Sequence, residues 1–320
     1  MTDVRADTGA RLDELIFLEP IFLTKVWGGS RLRELFGFDL PNDRIGECLA
    51  VSARPEGDCR VRGGSFAGET LSTLWSGHRH LFGDMPGDAF PLQVKLLDAR
   101  EDLSVQVHPD AAYDAAHGGG AGKNEAWYVL RAPASGQVVA GHTARTLERF
   151  AGLAVDGRWA ELLRRVHIGE GDYLSVPAGT VHAILAGSLF YEIQQASDVT
   201  YRLYDYDRLD GGVRRRLHVA EALEVVAAPS APVVAQPEVS VYPAATRTVY
   251  PRAQQFSFSR WEVRGRCSIP AEGPFLLGGA IEGFGSVNGQ AVRPGDHFVV
   301  PSGVAALEVT GRLTLLLTYP

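Results

Sequence analysis

The chain has 320 residues, 45% hydrophobic and 22% charged, with a formal net charge of −7. That length supports a large core and two domains, and an acidic balance without a long basic run argues against a nucleic-acid or anionic-membrane surface while leaving room for a local basic pocket. Three scattered cysteines, Cys48, Cys59 and Cys267, form no CxxC pair, which excludes a disulfide framework and a thiolate metal site.

Residues 1–14 are polar and lack an apolar signal core, and no later stretch is apolar for a membrane-spanning length. A flexible N-terminus on a cytosolic protein is expected. Short apolar runs at 90–97, 103–107, 126–130 and 136–140 predict strands. Residues 146–166 carry Leu147, Phe150, Leu153, Trp159, Leu162 and Leu163, broken at Asp156-Gly157, which predicts two short amphipathic helices. Strands return at 173–176 and 189–194, and 217–226 predicts a third helix. The Pro- and Ala-rich stretch 227–237 predicts a linker, followed by strands such as 312–318. Short strands punctuated by Gly, Pro and Asp predict an antiparallel barrel or sandwich.

A repeat supports two related β-domains, 15–226 and 238–320. Gly171-Asp172, Pro177-x-Gly179 and His182 recur at the same spacing as Gly295-Asp296, Pro301-x-Gly303 and Ala306. This pattern resembles the second motif of cupins, which are double-sheet jelly rolls. The expected fold is therefore mainly β, with two cupin-type jelly rolls and small helical parts at 146–166 and 217–226. With Ala306 in the imidazole's place, the second copy is expected to be metal-free.

The chemistry concentrates in Gln106-x-His108, Glu125 and His182. In a strand, residues two apart share a face, so Gln106 and His108 point one way while Val105 and Val107 point into a core behind. An amide, two imidazoles and a carboxylate suit Zn²⁺ or a similar divalent ion. Alone, His108 reads as a satisfied core or surface histidine; the companions at cupin spacing argue for the metal. Lys95 sits among apolar neighbours, so it needs an anion: a phosphate, or structurally Glu101. Arg202 pairs with Asp198 or Asp205 on the structural reading, Lys123 with a surface acid, and Ser104 fills a small gap. Gly118 to Gly122 is not followed by GK[ST], which excludes a phosphate loop; it reads as a flexible loop that can cover a pocket.

The segments Pro91 to Asp98, Leu103 to Pro109, Gly122 to Tyr128, Val176 to Ala183 and Glu192 to Arg208 together resemble the type I mannose-6-phosphate isomerases in their shorter bacterial form. The likeness begins at Pro20-Ile21 and Val26-Trp27-Gly28-Gly29, runs to about Val226, and weakens in the last ninety residues. It implies one zinc ion on Gln106, His108, Glu125 and His182. It also implies an active-site Arg202, a carboxylate acid/base at Glu192, and a sugar-phosphate pocket lined by Lys95, Ser104, Lys123 and Arg208. One departure is Cys48-Leu49 after Gly46-Glu47, where the family has Ser-Trp.

The implied reaction interconverts mannose 6-phosphate and fructose 6-phosphate by moving a proton between C2 and C1 through a cis-enediolate. A divalent ion polarises the carbonyl, Arg202 neutralises the enediolate, and cations grip the phosphate. The implied partner is a small-molecule sugar phosphate. Two other readings stay open on the residues alone. An iron-dependent cupin dioxygenase would consume oxygen, although Gln106 replaces its first histidine and sixteen residues separate His108 from Glu125. A non-catalytic sugar-binding cupin would bind without turnover.

Overall fold

A computed structural model of the chain describes residues 14–117, 119–230, 236–253 and 255–320. Residues 1–13 of the expected flexible N-terminus and 231–235 of the expected linker lie outside them. Three antiparallel sheets stack in layers. A five-stranded sheet runs in the order Leu163–His167, Gln137–His142, His182–Ala183, Val105–Val107, Tyr201–Tyr204. Beside it lies a six-stranded sheet, Tyr173–Val176, Glu125–Arg131, Ser188–Gln195, Leu92–Ala99, Ile21–Gly29, Ile45–Val51. The C-terminal eight-stranded sheet is built on the long strands Ser257–Pro270, Leu276–Val287 and Ala306–Tyr319.

Period-two alternation decides what each layer contains. In Leu92–Ala99, every residue of which is buried, Leu92, Val94 and Leu96 face the C-terminal sheet, while Gln93, Lys95 and Leu97 face a cavity on the other side. Ser188–Gln195 repeats the arrangement, with Tyr191 and Ile193 in the interdomain core and Glu192 in the cavity. Glu192 and Lys95 are register partners across the two strands, so they share a face. In the five-stranded sheet, Val105 and Val107 pack outward against Phe150, Leu153 and Ala222 of the covering helices Leu147–Val155 and Val219–Val225. Gln106, between them, is turned inward to the cavity, as the spacing predicts.

The C-terminal sheet uses both faces. Phe258, Leu277 and Leu316 join the interdomain core, whereas Trp261, Leu313, Leu315 and Leu317 form a second cluster with Phe17 and Leu307. The repeated turns have matching geometry. Asp172 accepts from the Gly169 amide at 2.7 Å and Asp296 from the Arg293 amide at 3.0 Å. Gly171 and Gly295 take φ of 87° and 91°, the left-handed region open to glycine.

Two elements differ from expectation. Helix stops at Leu162, and Leu163–His167 is a strand against Gln137–His142. The open edge of Gln137–His142 has ladder groups to satisfy, and that long-range demand overrides the local helical pattern. The first strand, Ile16–Leu18, is sequence-adjacent to the N-terminal domain yet pairs with His297–Val299 in the C-terminal sheet. No helix among the described residues is long and apolar enough to cross a membrane.

Candidate active site

The cavity between the five- and six-stranded sheets has a volume of about 410 Å³. Sheet pairing assembles one end of it: His182 lies opposite Gln106 in register, and Val176 lies opposite Glu125. The Glu125 carboxylate sits 3.3 Å from His108 Nε2 and 3.2 Å from His182 Nε2. These three donors fall within 4.8 Å of one another, and all three residues are buried.

The hydrogen bonds behind the rings settle their protonation. His108 Nδ1 is 2.8 Å from the Val199 carbonyl, and His182 Nδ1 is 2.8 Å from the Thr180 carbonyl. A carbonyl only accepts, so each Nδ1 carries the proton and each Nε2 turns a lone pair toward Glu125. Burial, with Lys123 next, pushes the His108 imidazolium down to about 3. Burial lowers His182 as well, so both rings are neutral. Burial opposes ionisation of Glu125, yet the charge of Lys123, 3.2 Å away, leads the interactions that hold the carboxyl well below its ordinary range. Acceptors therefore converge on one point. His108 Nε2 and both Glu125 oxygens have no hydrogen-bond partner among the described residues. Buried lone pairs facing one another are costly unless a cation lies between them. The donor set fits a divalent ion, and His108, Glu125 and His182 form a candidate metal site. Gln106 abuts it, its amide 3.3 Å from His182 Nε2, and an amide flip presents its oxygen instead.

Turn chemistry aims these side chains. Gly122 takes φ 63°, and a Cβ there would sit 2.4 Å from the Ala111 amide nitrogen. Glycine is thus required just before Lys123, whose backbone N–H donates to Pro109. Asp114 accepts from the Gly120 and Gly122 amides at 3.1 and 2.9 Å, which straps down the loop that the sequence reads as flexible. Asn124 Oδ1 accepts from the Ala178 amide at 2.9 Å and ties the strand carrying Glu125 to the turn before His182. At that turn, the Gly179 amide bonds the His108 carbonyl.

The other expected residues divide. Lys123 lies 3.2 Å from Glu125 as an ion pair and lines the cavity. Glu192, 5% exposed, accepts from Trp127 Nε1 at 2.9 Å. Burial, then the Glu125 charge, pushes its carboxyl up to about 7, against the pull of Lys123 and Lys95. Arg202 lines the cavity and donates through Nε to Ser104 Oγ at 3.3 Å. Lys95 is 3.7 Å from Glu47 and 3.6 Å from Asp198, rather than paired with Glu101. Burial disfavours its charge, but Glu47, Glu192 and Asp198 outweigh burial and keep it protonated. Arg208 is not among the residues lining the cavity. Its guanidinium is taken up by Asp205 Oδ1 at 2.6 Å and the Asp102 carbonyl at 2.5 Å.

Residues 15–126 match the family "Phosphomannose isomerase type I, catalytic domain", and residues 246–320 match "Mannose-6-phosphate isomerase, cupin domain". The chain is 41% identical over 311 residues to a probable mannose-6-phosphate isomerase, GmuF, of Bacillus subtilis (strain 168), covering 95% of this chain and 99% of that one. It is also 41% identical to the mannose-6-phosphate isomerase ManA of the same strain, covering 96% and 99%. This chain belongs to the type I mannose-6-phosphate isomerases. The crystal structure of mannose 6-phosphate isomerase from Bacillus subtilis superposes with a TM-score of 0.93 at 38% identity, covering 96% of this chain and 99% of that one. A zinc-bound mannose 6-phosphate isomerase shares the fold, with a TM-score of 0.78 at 17% identity, covering 95% and 99%.

The isomerase converts mannose 6-phosphate and fructose 6-phosphate, which displaces the dioxygenase and binding-only readings. Its cavity also holds residues that local sequence reasoning missed. Glu47 enters beside Lys25 at 2.9 Å while its neighbour Cys48 packs into the core behind. Trp127 donates to Glu192. Arg215 lines the cavity through a hairpin whose turn, Gly211-Gly212, has φ of 59° and 88°. That Gly-Gly pair was a readable hairpin signal.

Proposed function

We propose that the isomerase works with one zinc ion per chain, held by Gln106, His108, Glu125 and His182, and that Glu192 carries the proton between C2 and C1 of the open-chain sugar phosphate. The observation that carries this reading is a buried carboxyl at about 7, in the same cavity as the metal donors. A base near neutrality is ionised enough to accept a proton and acidic enough to return it. Zinc, when bound, supplies Lewis-acid polarisation of the substrate carbonyl. Glu192 takes the C2 proton; the C–H electron pair forms the C1–C2 double bond of a cis-enediolate. Transfer of the O2 hydroxyl proton to O1 and return of the carbon-bound proton to C1 leave a ketone at C2 and a hydroxyl at C1. Arg202, protonated throughout, faces the developing negative charge. Lys123, fixed by Glu125, donates to a substrate oxygen, and Ser104 holds Arg202 in place. The acidic composition and free cysteines suit an enzyme of the cytosol.

A coupled assay of mannose 6-phosphate conversion in deuterated water tests the scheme, run on the zinc-loaded enzyme, His182→Ala and Glu192→Gln. Deuterium at C1 of the product, with activity lost in both variants at matched folding, is expected. Activity retained by Glu192→Gln, with no solvent hydrogen in the product, refutes it.

A further inference from the structure

The cavity contains more positive charge than the metal chemistry uses, and its distribution is uneven. Lys95 is matched by Glu47 and Asp198, and Arg54 by Asp198 at 3.3 Å and Glu56 at 3.6 Å. The other group of cations gathers at one carboxylate, and Glu101 lies 3.9 Å from Arg208 Nη1. Asp205, 5% exposed, accepts from Arg215 Nε at 2.7 Å, from Arg215 Nη2, and from Arg208 Nη2 at 2.6 Å. Arg202 stands close enough that burial, and next the Arg215 charge, lowers its hold on its proton.

The free donors differ between these guanidinium groups. Arg208 spends one terminal nitrogen on the Asp102 carbonyl and the other on Asp205; its Nε, without a partner among the described residues, is buried, and the residue does not line the cavity. Arg215 spends Nε and Nη2 on Asp205, and among the described residues Nη1 has no acceptor. Arg202 spends Nε on Ser104 and Nη1 on the Arg216 carbonyl at 2.9 Å, and Nη2 has none. Both free ends belong to residues lining the cavity. Guanidinium groups held by a carboxylate on one edge are preorganised to take a phosphate on another. Partly desolvated like charges also call for an anion.

We propose that Arg215 is the residue that grips the substrate phosphate through its free Nη1, and that Arg208 acts behind it by holding Asp205. This rests on the sugar-phosphate isomerase reading and reassigns the phosphate contact expected of Arg208. The anchor explains the hairpin, which returns the chain from Asp205 to place Arg215 at the same carboxylate.

The test compares wild type, Arg215→Met and Arg208→Met in the zinc-loaded enzyme. It measures KM and kcat for mannose 6-phosphate, competitive inhibition by inorganic phosphate, and metal content. Arg215→Met is expected to raise KM and the phosphate inhibition constant at least about tenfold. Its kcat should change less than about threefold, with metal retained. Arg208→Met is expected to change phosphate inhibition by less than about threefold. If Arg215→Met does not fold, Arg215→Gln, which can still donate to Asp205, is read against the same limits. Phosphate inhibition of the Arg215 variant within threefold of wild type overturns the proposal, as does a larger loss in Arg208→Met. A wild type that binds phosphate through Arg215 without turning over mannose 6-phosphate would defeat the functional reading and leave the phosphate site standing.

Discussion

Replacing Trp127 with Phe isolates the group that tunes the proposed base. Trp127 donates a 2.9 Å hydrogen bond to Glu192 Oε2, and its ring also packs 5.4 Å from His182 and 5.5 Å from Phe190, centroid to centroid. Phenylalanine keeps most of that packing and removes the donor. A buried hydrogen bond to a charged group contributes about 1.5–3 kcal/mol. At about 1.4 kcal/mol per pH unit, losing it favours the protonated carboxyl by about one to two pH units. The base works deprotonated, so activity is present above its pKa and is lost as pH falls through it. A raised pKa therefore moves the acidic limb of kcat/KM upward. A cation on Glu125 relieves the repulsion that raises Glu192, so the limb of the metal-loaded wild type lies below 7. The displacement between the two proteins is what the assay reads. The expected profile of Trp127→Phe has its acidic limb about one to two units higher and recovers activity by about pH 9. An unmoved limb in a folded, metal-loaded variant would refute Glu192 as the titrating base.

Other outcomes follow from the same geometry. Glu125→Gln removes the charge that both imidazoles face and leaves Lys123 without its partner. It is expected to lose its metal on dialysis and more than about a hundredfold in activity, since even outer-shell changes cost 10- to 100-fold; elemental analysis showing full metal retention would contradict the site. Gly122→Ala places a Cβ 2.4 Å from the Ala111 nitrogen at positive φ. The strain should shift Lys123 and Glu125, so metal affinity and kcat fall together, and unchanged metal titration would count against that coupling. Phe258, 2% exposed, stacks on Tyr173 at 5.3 Å between the six- and eight-stranded sheets. Phe258→Ala should cost about 3–5 kcal/mol in urea denaturation. Its kcat should stay at the wild-type value, because no cavity-lining residue is touched.

The candidate site was legible where its chemistry is local. Gln106-x-His108 in an alternating strand fixes which side chains turn inward, and Val105 and Val107 pack behind as that periodicity requires. The paired Gly-Asp and Pro-x-Gly turns, with His182 in one and Ala306 in the other, pointed to two related domains and to a candidate metal site in the first. The strand at Leu163–His167 was not legible, since its residues obey a helical pattern and only the open edge of Gln137–His142 makes them extended. Arg208 and Arg215 have the same side chain, and nothing local ranks them. The ranking comes from Asp205 and Asp102, which occupy both terminal nitrogens of Arg208 and leave one on Arg215 free.

Sequence alone determined the fold class and singled out the candidate metal donors and the carboxylate that shares their cavity, because these depend on residue type and on spacings that a strand or turn converts directly into direction. Tertiary structure decided the electrostatics. Glu192 rises to about 7 because burial and Glu125 act on it together, and Lys95 stays charged because Glu47 and Asp198 reach it from other segments. Charge interactions run through space in a low dielectric and ignore chain order, so the protonation states and the division of the cations became fixed only when the sheets closed around the cavity.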